Sequence, residues 1–245
     1  MTSVIEKYNV FFWNFVNKYD LSSTNLLRKV IHCFLVAENS FNLACQQKLN
    51  KKQRELAYLI GLMHDIGRFE QWKLYQTFND HLSKDHGLLG SDILSKISLD
   101  AFNITKKEKD LLINVVKYHT QKIENKDKTF MLFFTILQDA DNYSNLSTIA
   151  NGAMPVWNFE DGVTAEILAG FHNKEYLRGF SPKTKLDRAL MCTADAYYIK
   201  SKWLKEQVLQ KNMLDVMRER FDDVLSETDK KTYKKALDFL KNNLL

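Results

Sequence analysis

Apolar residues recur at spacings of three and four through segment after segment of this chain, and most of these segments open on a helix-capping signal. That is the period of an α-helix, and little in the chain interrupts it: there are 8 Gly and 2 Pro in 245 residues, and β-branched residues are scattered with no alternating runs. The expected fold is all-α. A chain of this length can bury one large core, or a core with a satellite.

The first periodic segment runs from about Thr24 to Phe41, with Leu27, Val30, Ile31, Phe34 and Leu35 as its apolar stripe. The next follows Asn50, carries Leu56, Leu59, Ile60 and Met63, and is expected to stop at Gly67. A third extends from His86 to Ile97. A fourth opens on the capping box Thr105-Lys106-Lys107-Glu108 and continues through Leu112, Val115 and Val116 to His119. A fifth, apolar on nearly every side from Phe130 to Leu137, should be buried and end near Asn142. Composition then shifts, with Pro155, Pro182, Gly152, Gly162, Gly170 and Gly179 all falling in the next stretch. Ser181-Pro182 reads as the start of a helix through Leu190, Ala194 and Tyr198 to about Trp203, followed by helices at about Lys211 to Leu225 and Asp229 to Asn243. The expected organisation is a helical core over 1–143, an irregular segment over 144–181 and C-terminal helices over 182–245 packed on the core.

No apolar stretch reaches the ~18 residues of a membrane span, and Glu6 and Lys7 precede Phe11, Phe12 and Trp13, so neither a membrane helix nor a signal peptide is expected. Cys33, Cys45 and Cys192 lack any CxxC spacing and read as core thiols of a cytoplasmic protein. The net charge of +5 is spread along the chain, which argues against nucleic acid as a partner, and the KKTYKK run from Lys230 to Lys235 reads as a solvated helix face. Exposed aromatics such as Trp13 and Trp203 could let the chain form an oligomer.

The histidines carry the chemistry. His32 lies inside the first helix beside its apolar stripe, His64 and Asp65 end the second, His86 opens the third, His119 ends the fourth, and Asp139 and Asp141 end the fifth. A single histidine on an apolar face is more often a hydrogen-bonded core residue than a ligand. Here four successive helices each offer an imidazole and the fifth offers carboxylates, all beside apolar neighbours where an unpaired polar group is costly. A shared cation would satisfy them together.

The order of a lone His, LMHDIG, DHGLLGSDIL, VVKYH and LQDADN, over roughly Leu26 to Tyr143, resembles the HD-domain superfamily of metal-dependent phosphohydrolases. The stretch GLMHDIGRFEQWKLYQTFNDHLSKDHGLLGSDIL and the downstream SPKTKLDRAL are similar to a group of bacterial stand-alone HD proteins carrying HDIGRFEQ. The resemblance implies an HD-domain helical bundle with additional C-terminal helices. It places the signature ligands on His32, His64, Asp65 and Asp141, adds His86 and His119 for a second ion, and makes Asp65 the bridge. Within the ligand set His64 and Asp65 are the expected catalytic pair. Asp139 would orient a ligand or a bound water from behind, while His81 and His172 are assigned to neither ion.

Such a centre would hold one or two divalent transition-metal ions. Mn²⁺, Fe²⁺, Co²⁺ or Ni²⁺ suits the donor set by softness, with Mg²⁺ or Zn²⁺ also within reach. Two ions would hold a bridging water and lower its pKa toward neutrality for attack on phosphorus. The implied activity is hydrolysis of a small phosphorylated substrate, with a nucleotide as the first guess. Two alternatives are a di-iron oxygenase of the HD type, and a metal-containing sensor or partner-binding protein without catalysis. Arg68 is a candidate for phosphate, with a salt bridge to Glu70 or a nearby Asp as the competing reading; Lys84 could reach a phosphate by position. Phe69, Trp72, Tyr75 and Phe78 read as a core stripe, the competing reading being a wall on which a base could stack. The segment 144–181 is expected to border the pocket.

Overall fold

The computed structural model describes residues 3–124, 127–152, 160–163, 167 and 182–245. Every regular element among them is helical, and the single bridge outside helices pairs Glu160 with Thr184. No helix among the described residues is long and apolar enough to cross a membrane. The chain divides into two compact units, Met1–Asp141 and Asn142–Leu245.

In the first unit, α1 (Val4–Val16) opens on a capping box between Ser3 and Glu6 that sequence reading did not pick out. It buries Tyr8, Phe12 and Val16, and Phe12 meets Phe34 and Phe69 edge to face. The next helix, α2 (Thr24–Gln46), is longer than expected, and its stripe is rotated from the expected one. Leu26, Val30, Cys33, Ala37, Leu43 and Ala44 are buried, whereas Leu27 and Ile31 are exposed. Small residues at Cys33 and Ala37 allow close packing on α3 (Lys51–Met63), where a Cβ added to Gly61 would stand 2.8 Å from Ala37 Cα.

Gly67 does not stop a helix. The break falls at His64 and Asp65, and Gly67 lies in the first turn of α4 (Ile66–Tyr75). Its lack of a side chain serves packing instead: an added Cβ would stand 2.1 Å from the backbone oxygen of His86 and 2.5 Å from the nitrogen of Gly90. These atoms belong to α5 (His86–Lys96), which packs in turn on α6 (Lys106–Tyr118). The Thr105–Glu108 capping box of α6 forms as expected.

The fifth helix of the sequence reading is α7 (Lys128–Ala150), which runs two turns beyond Asn142. The apolar period continues past the Asp-Asn pair through the buried Tyr143, Leu146 and Ile149, and Ser147 Oγ–H donates back to the Ser144 carbonyl. The helix therefore ends at Ala150, and Gly152 just beyond it takes a φ of 109°. Residues 153–159, 164–166 and 168–181 lie outside the described residues, and His172, Pro155, Gly170, Gly179 and Ser181 fall there.

The second unit contains α8 (Lys185–Tyr198), α9 (Lys202–Gln210), α10 (Met213–Asp222) and α11 (Glu227–Asn242). Helix α8 starts at Lys185 rather than Pro182, because Thr184 and Asp187 form a capping box. It ends at Tyr198, where Ile199 adopts an extended conformation and Ser201 caps the next helix, so Trp203 lies in α9 and is half-buried. Tyr233 is buried against Phe221, and Arg220 Nε–H donates to the Ala150 carbonyl at the end of α7. Along α11, Lys230 pairs with Glu227 and Lys234 with Asp238, in keeping with a solvated face. Cys33 and Cys192 are buried and Cys45 is half-buried; all three are free thiols.

Candidate metal centre

Helix ends bring most of the polar groups to one buried place in the first unit. His64 is the C-cap of α3 and Asp65 the N-cap of α4, so the chain turns between them and presents both inward. His86 is the first residue of α5, and His119 is the C-cap of α6. His32 and Asp141 come from within α2 and α7. His32, His64, Asp65, His86 and His119 are all buried.

The two oxygens of Asp65 face different partners. Oδ2 lies 3.6 Å from His64 Nε2 and 3.9 Å from His32 Nε2, while Oδ1 lies 3.3 Å from His86 Nε2 and 3.9 Å from His119 Nε2. Asp141 Oδ1 completes the first group, 3.0 Å from His32 Nε2 and 3.9 Å from His64 Nε2. In the second group the Nε2 atoms of His86 and His119 approach to 3.1 Å. His32, His64 and Asp141 form one set with donor atoms close enough to share an ion, and His64, Asp65 and His119 form another.

The far side of each ring sets which nitrogen is free. Nδ1 of His64 sits 2.7 Å from the Gly61 carbonyl and Nδ1 of His119 2.7 Å from that of Val116. A carbonyl only accepts, so each Nδ1 bears the hydrogen and each Nε2 keeps its lone pair toward the centre. His64 Nε2 is buried without a hydrogen-bond partner. A buried acceptor with nothing to accept, facing carboxylates, fits a divalent cation of the first transition row, for which imidazole and carboxylate are the usual donors.

Burial lowers the pKa of His64, His86 and His119, more than the neighbouring carboxylates raise it. Burial alone would raise Asp65, yet Lys29, His64, Arg68 and His86 together hold it well below the usual carboxylate range. Asp141 is lowered too, because the His32 hydrogen bond and charge and the His64 charge outweigh its burial. Both kinds of shift act in the same direction on stability. A histidine whose folded pKa is depressed loses stability as pH falls through its unfolded value, about 6.5, and a depressed Asp loses it below about 4. The metal-free protein should therefore show a thermal midpoint that is level between about pH 7 and 8, declines below about 6.5 and declines again below about 4. Melting curves in chelator over that range check this; a midpoint that rises on acidification from pH 7 to 5 would contradict it.

Asp139 is buried on α7 and engaged, and His81 is exposed in the loop before α5. Arg68 is held through one nitrogen: Nη1 reaches Gln71 Oε1 (2.8 Å), the Phe78 carbonyl (2.6 Å) and Asp80 Oδ1 (3.2 Å), while the buried Nε has no hydrogen-bond partner and lies 3.6 Å from Asp65 Oδ1. The expected ion pair forms, although to Asp80 and Asp65; Glu70 instead accepts from Tyr19. Lys84 pairs with Asp92 at 2.8 Å on the exposed face of α5. Phe69 is buried core, Trp72 and Phe78 are half-buried with their rings 4.9 Å apart, and Tyr75 is exposed.

Sequence reading missed three contributors. Lys29, one helical turn before His32, places Nζ 2.7 Å from Asp65 Oδ2, and both Lys29 and Arg68 lie 5.8 Å from the Phe78 ring centre. Gln138 donates to the His119 carbonyl at 2.8 Å and so pins the end of α6. Asp80 receives His86 Nδ1 at 2.9 Å. The available signals were a cation at helical spacing from a ligand and a carboxylate in the loop leading to one.

Four imidazoles and two carboxylates gather at one buried point of a helical unit, an arrangement that could hold a metal ion. Residues 30–146 match the HD domain family model, in agreement with the helical fold and the His/Asp cluster. The match includes all six candidate ligands and addresses the domain as a whole, without singling out the HDIGRFEQ group. HD domains bind divalent metals and are in general a metal-dependent phosphohydrolase fold. No curated protein and no solved structure matches the chain.

Proposed function

We propose that this chain hydrolyses a phosphate ester of a small molecule, with nucleotides as the first class to try, at a centre of two divalent metal ions. The observation behind this reading is the division of Asp65, one oxygen toward His32 and His64 and the other toward His86 and His119. His32, His64, Asp141 and Asp65 Oδ2 would hold one ion, and His86, His119 and Asp65 Oδ1 the other. Bound there, the ions would supply Lewis-acid charge for a phosphoryl oxygen and a water acidic enough to attack near neutral pH.

The chain's own groups account for the rest. Lys29 and Arg68 flank Asp65 on opposite oxygens and put positive charge where a phosphoryl group would sit, and Lys29 keeps a quarter of its side chain exposed, so it can turn toward an arriving anion. The depressed pKa values favour neutral His64, His86 and His119 and ionised Asp65 and Asp141 at neutral pH, the states that donate lone pairs. Arg68 is the proposed substrate group with Lys29 beside it. Lys84, turned toward Asp92, is the weaker choice. The free thiols suit a cytoplasmic setting.

The test is metal analysis of protein purified without added metal, followed by a phosphoester screen with the metal found, with and without O₂. Hydrolysis that proceeds equally well without O₂ is the expected result. Turnover that requires O₂ and iron would transfer the site to the di-iron oxygenase class, and metal retention with no turnover on any phosphoester would favour a sensor.

A further inference from the structure

The three buried rings of this centre with depressed pKa values are not held in the same way. His64 and His119 stand at the C-terminal ends of their helices, and each finds an acceptor for Nδ1–H in the carbonyl three residues back. His86 is the first residue of α5, so no preceding helical turn exists to offer it a carbonyl. Asp80, from the loop before α5, takes that place: Nδ1 of His86 lies 2.9 Å from Oδ2 and 3.0 Å from Oδ1, and the backbone nitrogen of His86 donates to Oδ1 at 3.2 Å.

Asp80 is itself fixed. Its Oδ1 accepts from Gln71 Nε2 at 2.7 Å and from Arg68 Nη1 at 3.2 Å. Gln71 is fully buried, and the same amide nitrogen reaches Ser83 Oγ at 2.7 Å and the Lys84 carbonyl at 3.2 Å, tying the loop to α4. Asp80, Asp85 and His86 lie close enough to resemble a cation cluster of their own. Both carboxylates already serve the protein, however: Asp85 caps α5 by accepting from the Leu88 nitrogen, and Asp80 accepts from the donors just named.

We infer that Asp80 is a positioning residue for the second half of the centre, fixing the His86 ring so that its Nε2 stays aimed at Asp65 Oδ1 and deciding whether an ion is retained there. This rests on the paired-ion reading above. The carboxylate remains ionised because the His86 hydrogen bond and charge, with Arg68 and Gln71, outweigh the effect of burial. An anionic acceptor behind an imidazole also makes the ring a stronger donor, and loss of such a partner typically weakens metal binding about 10–100-fold.

The test is titration of the metal-free protein with Mn²⁺, read by electron paramagnetic resonance and by binding stoichiometry. The wild type should take two ions per chain and show an exchange-coupled pair. Asp80→Asn and Asp80→Ala should bind the first ion with wild-type affinity and the second about 10–100-fold more weakly, so that the spectrum at two equivalents is that of isolated Mn²⁺. Ser83→Ala removes one bond of the same loop network without touching the ring. It should lower the thermal midpoint and leave the coupled pair intact.

A coupled pair retained with unchanged affinity in both Asp80 variants overturns the inference while leaving the paired-ion reading standing. Loss of the pair in Ser83→Ala to the same extent also overturns it, since general loosening of the loop would then suffice. A wild type that binds a single ion removes the paired-ion reading, and the inference with it.

Discussion

Asp65→Asn should weaken both halves of the metal centre at once and lower phosphoester turnover by more than about 100-fold, beyond the upper end of the loss expected for a group that only supports a ligand. The reason is the shared carboxylate. Oδ2 faces His32 and His64, Oδ1 faces His86 and His119, and the amide that replaces it has one oxygen and no charge. His119→Ala, by contrast, removes a donor from one half only and should spare the ion beside Asp141. Metal content after gel filtration, set against turnover and helical content by circular dichroism, measures all of this. If Asp65→Asn lost a single ion and kept the other at wild-type affinity, the bridging assignment would be wrong.

The second large effect is on stability. Gly67→Ala would place a methyl group 2.1 Å from the His86 carbonyl oxygen and 2.5 Å from the Gly90 nitrogen, both main-chain atoms that cannot rotate away. Overfilling a packed interior typically costs 1–3 kcal/mol, and a backbone clash belongs at the top of that range, about 3 kcal/mol. For a chain of this size the thermal midpoint should fall by roughly 6–12 °C. Gly90→Ala is the comparison: its nearest neighbour is a side-chain methyl of Val116 at 3.0 Å, which can move, so the fall should be several-fold smaller. Thermal melts of both variants in chelator decide it, and equal midpoints would mean that α4 and α5 separate freely. Because His86 begins α5, Gly67→Ala should also weaken metal binding in the half that contains that ring.

The helical fold is legible in the sequence because it depends on local pattern, and the six-residue set because the order of its motifs resembles the HD-domain superfamily. The N-cap Asn50, the capping box at Thr105 and the positions of His64, His86 and His119 at helix ends follow from residue type and spacing. What was not legible depends on tertiary approach. Gly67 looks like a stop because glycine commonly ends helices, yet here it permits contact with a helix about twenty residues away. The stripe of α2 was misplaced because Leu27 and Ile31 fit the period as well as Leu26 and Cys33, and only the neighbouring helices choose between them. Asn142 looked like an end because polar pairs often are, and the apolar period beyond it was overlooked.

The supporting groups were harder to find for the same reason. Asp80 and Lys29 become meaningful only once the loop before α5 and the face of α2 are seen against Asp65. Arg68 stands out in the sequence, but the carboxylate of Asp80 beside it becomes visible only in the fold.

The bonds from His64 and His119 back to their own helices have one further result. Each ring is confined to one tautomer and one orientation by a carbonyl of the helix it terminates, before any ion arrives. Together with a main-chain contact that sets how near α5 comes to α4, this makes the site a mould of nearly fixed dimensions. Competitive metal binding should therefore favour the smaller ions of the first transition row, which imidazole suits, over Ca²⁺, which takes more oxygen ligands at longer distances.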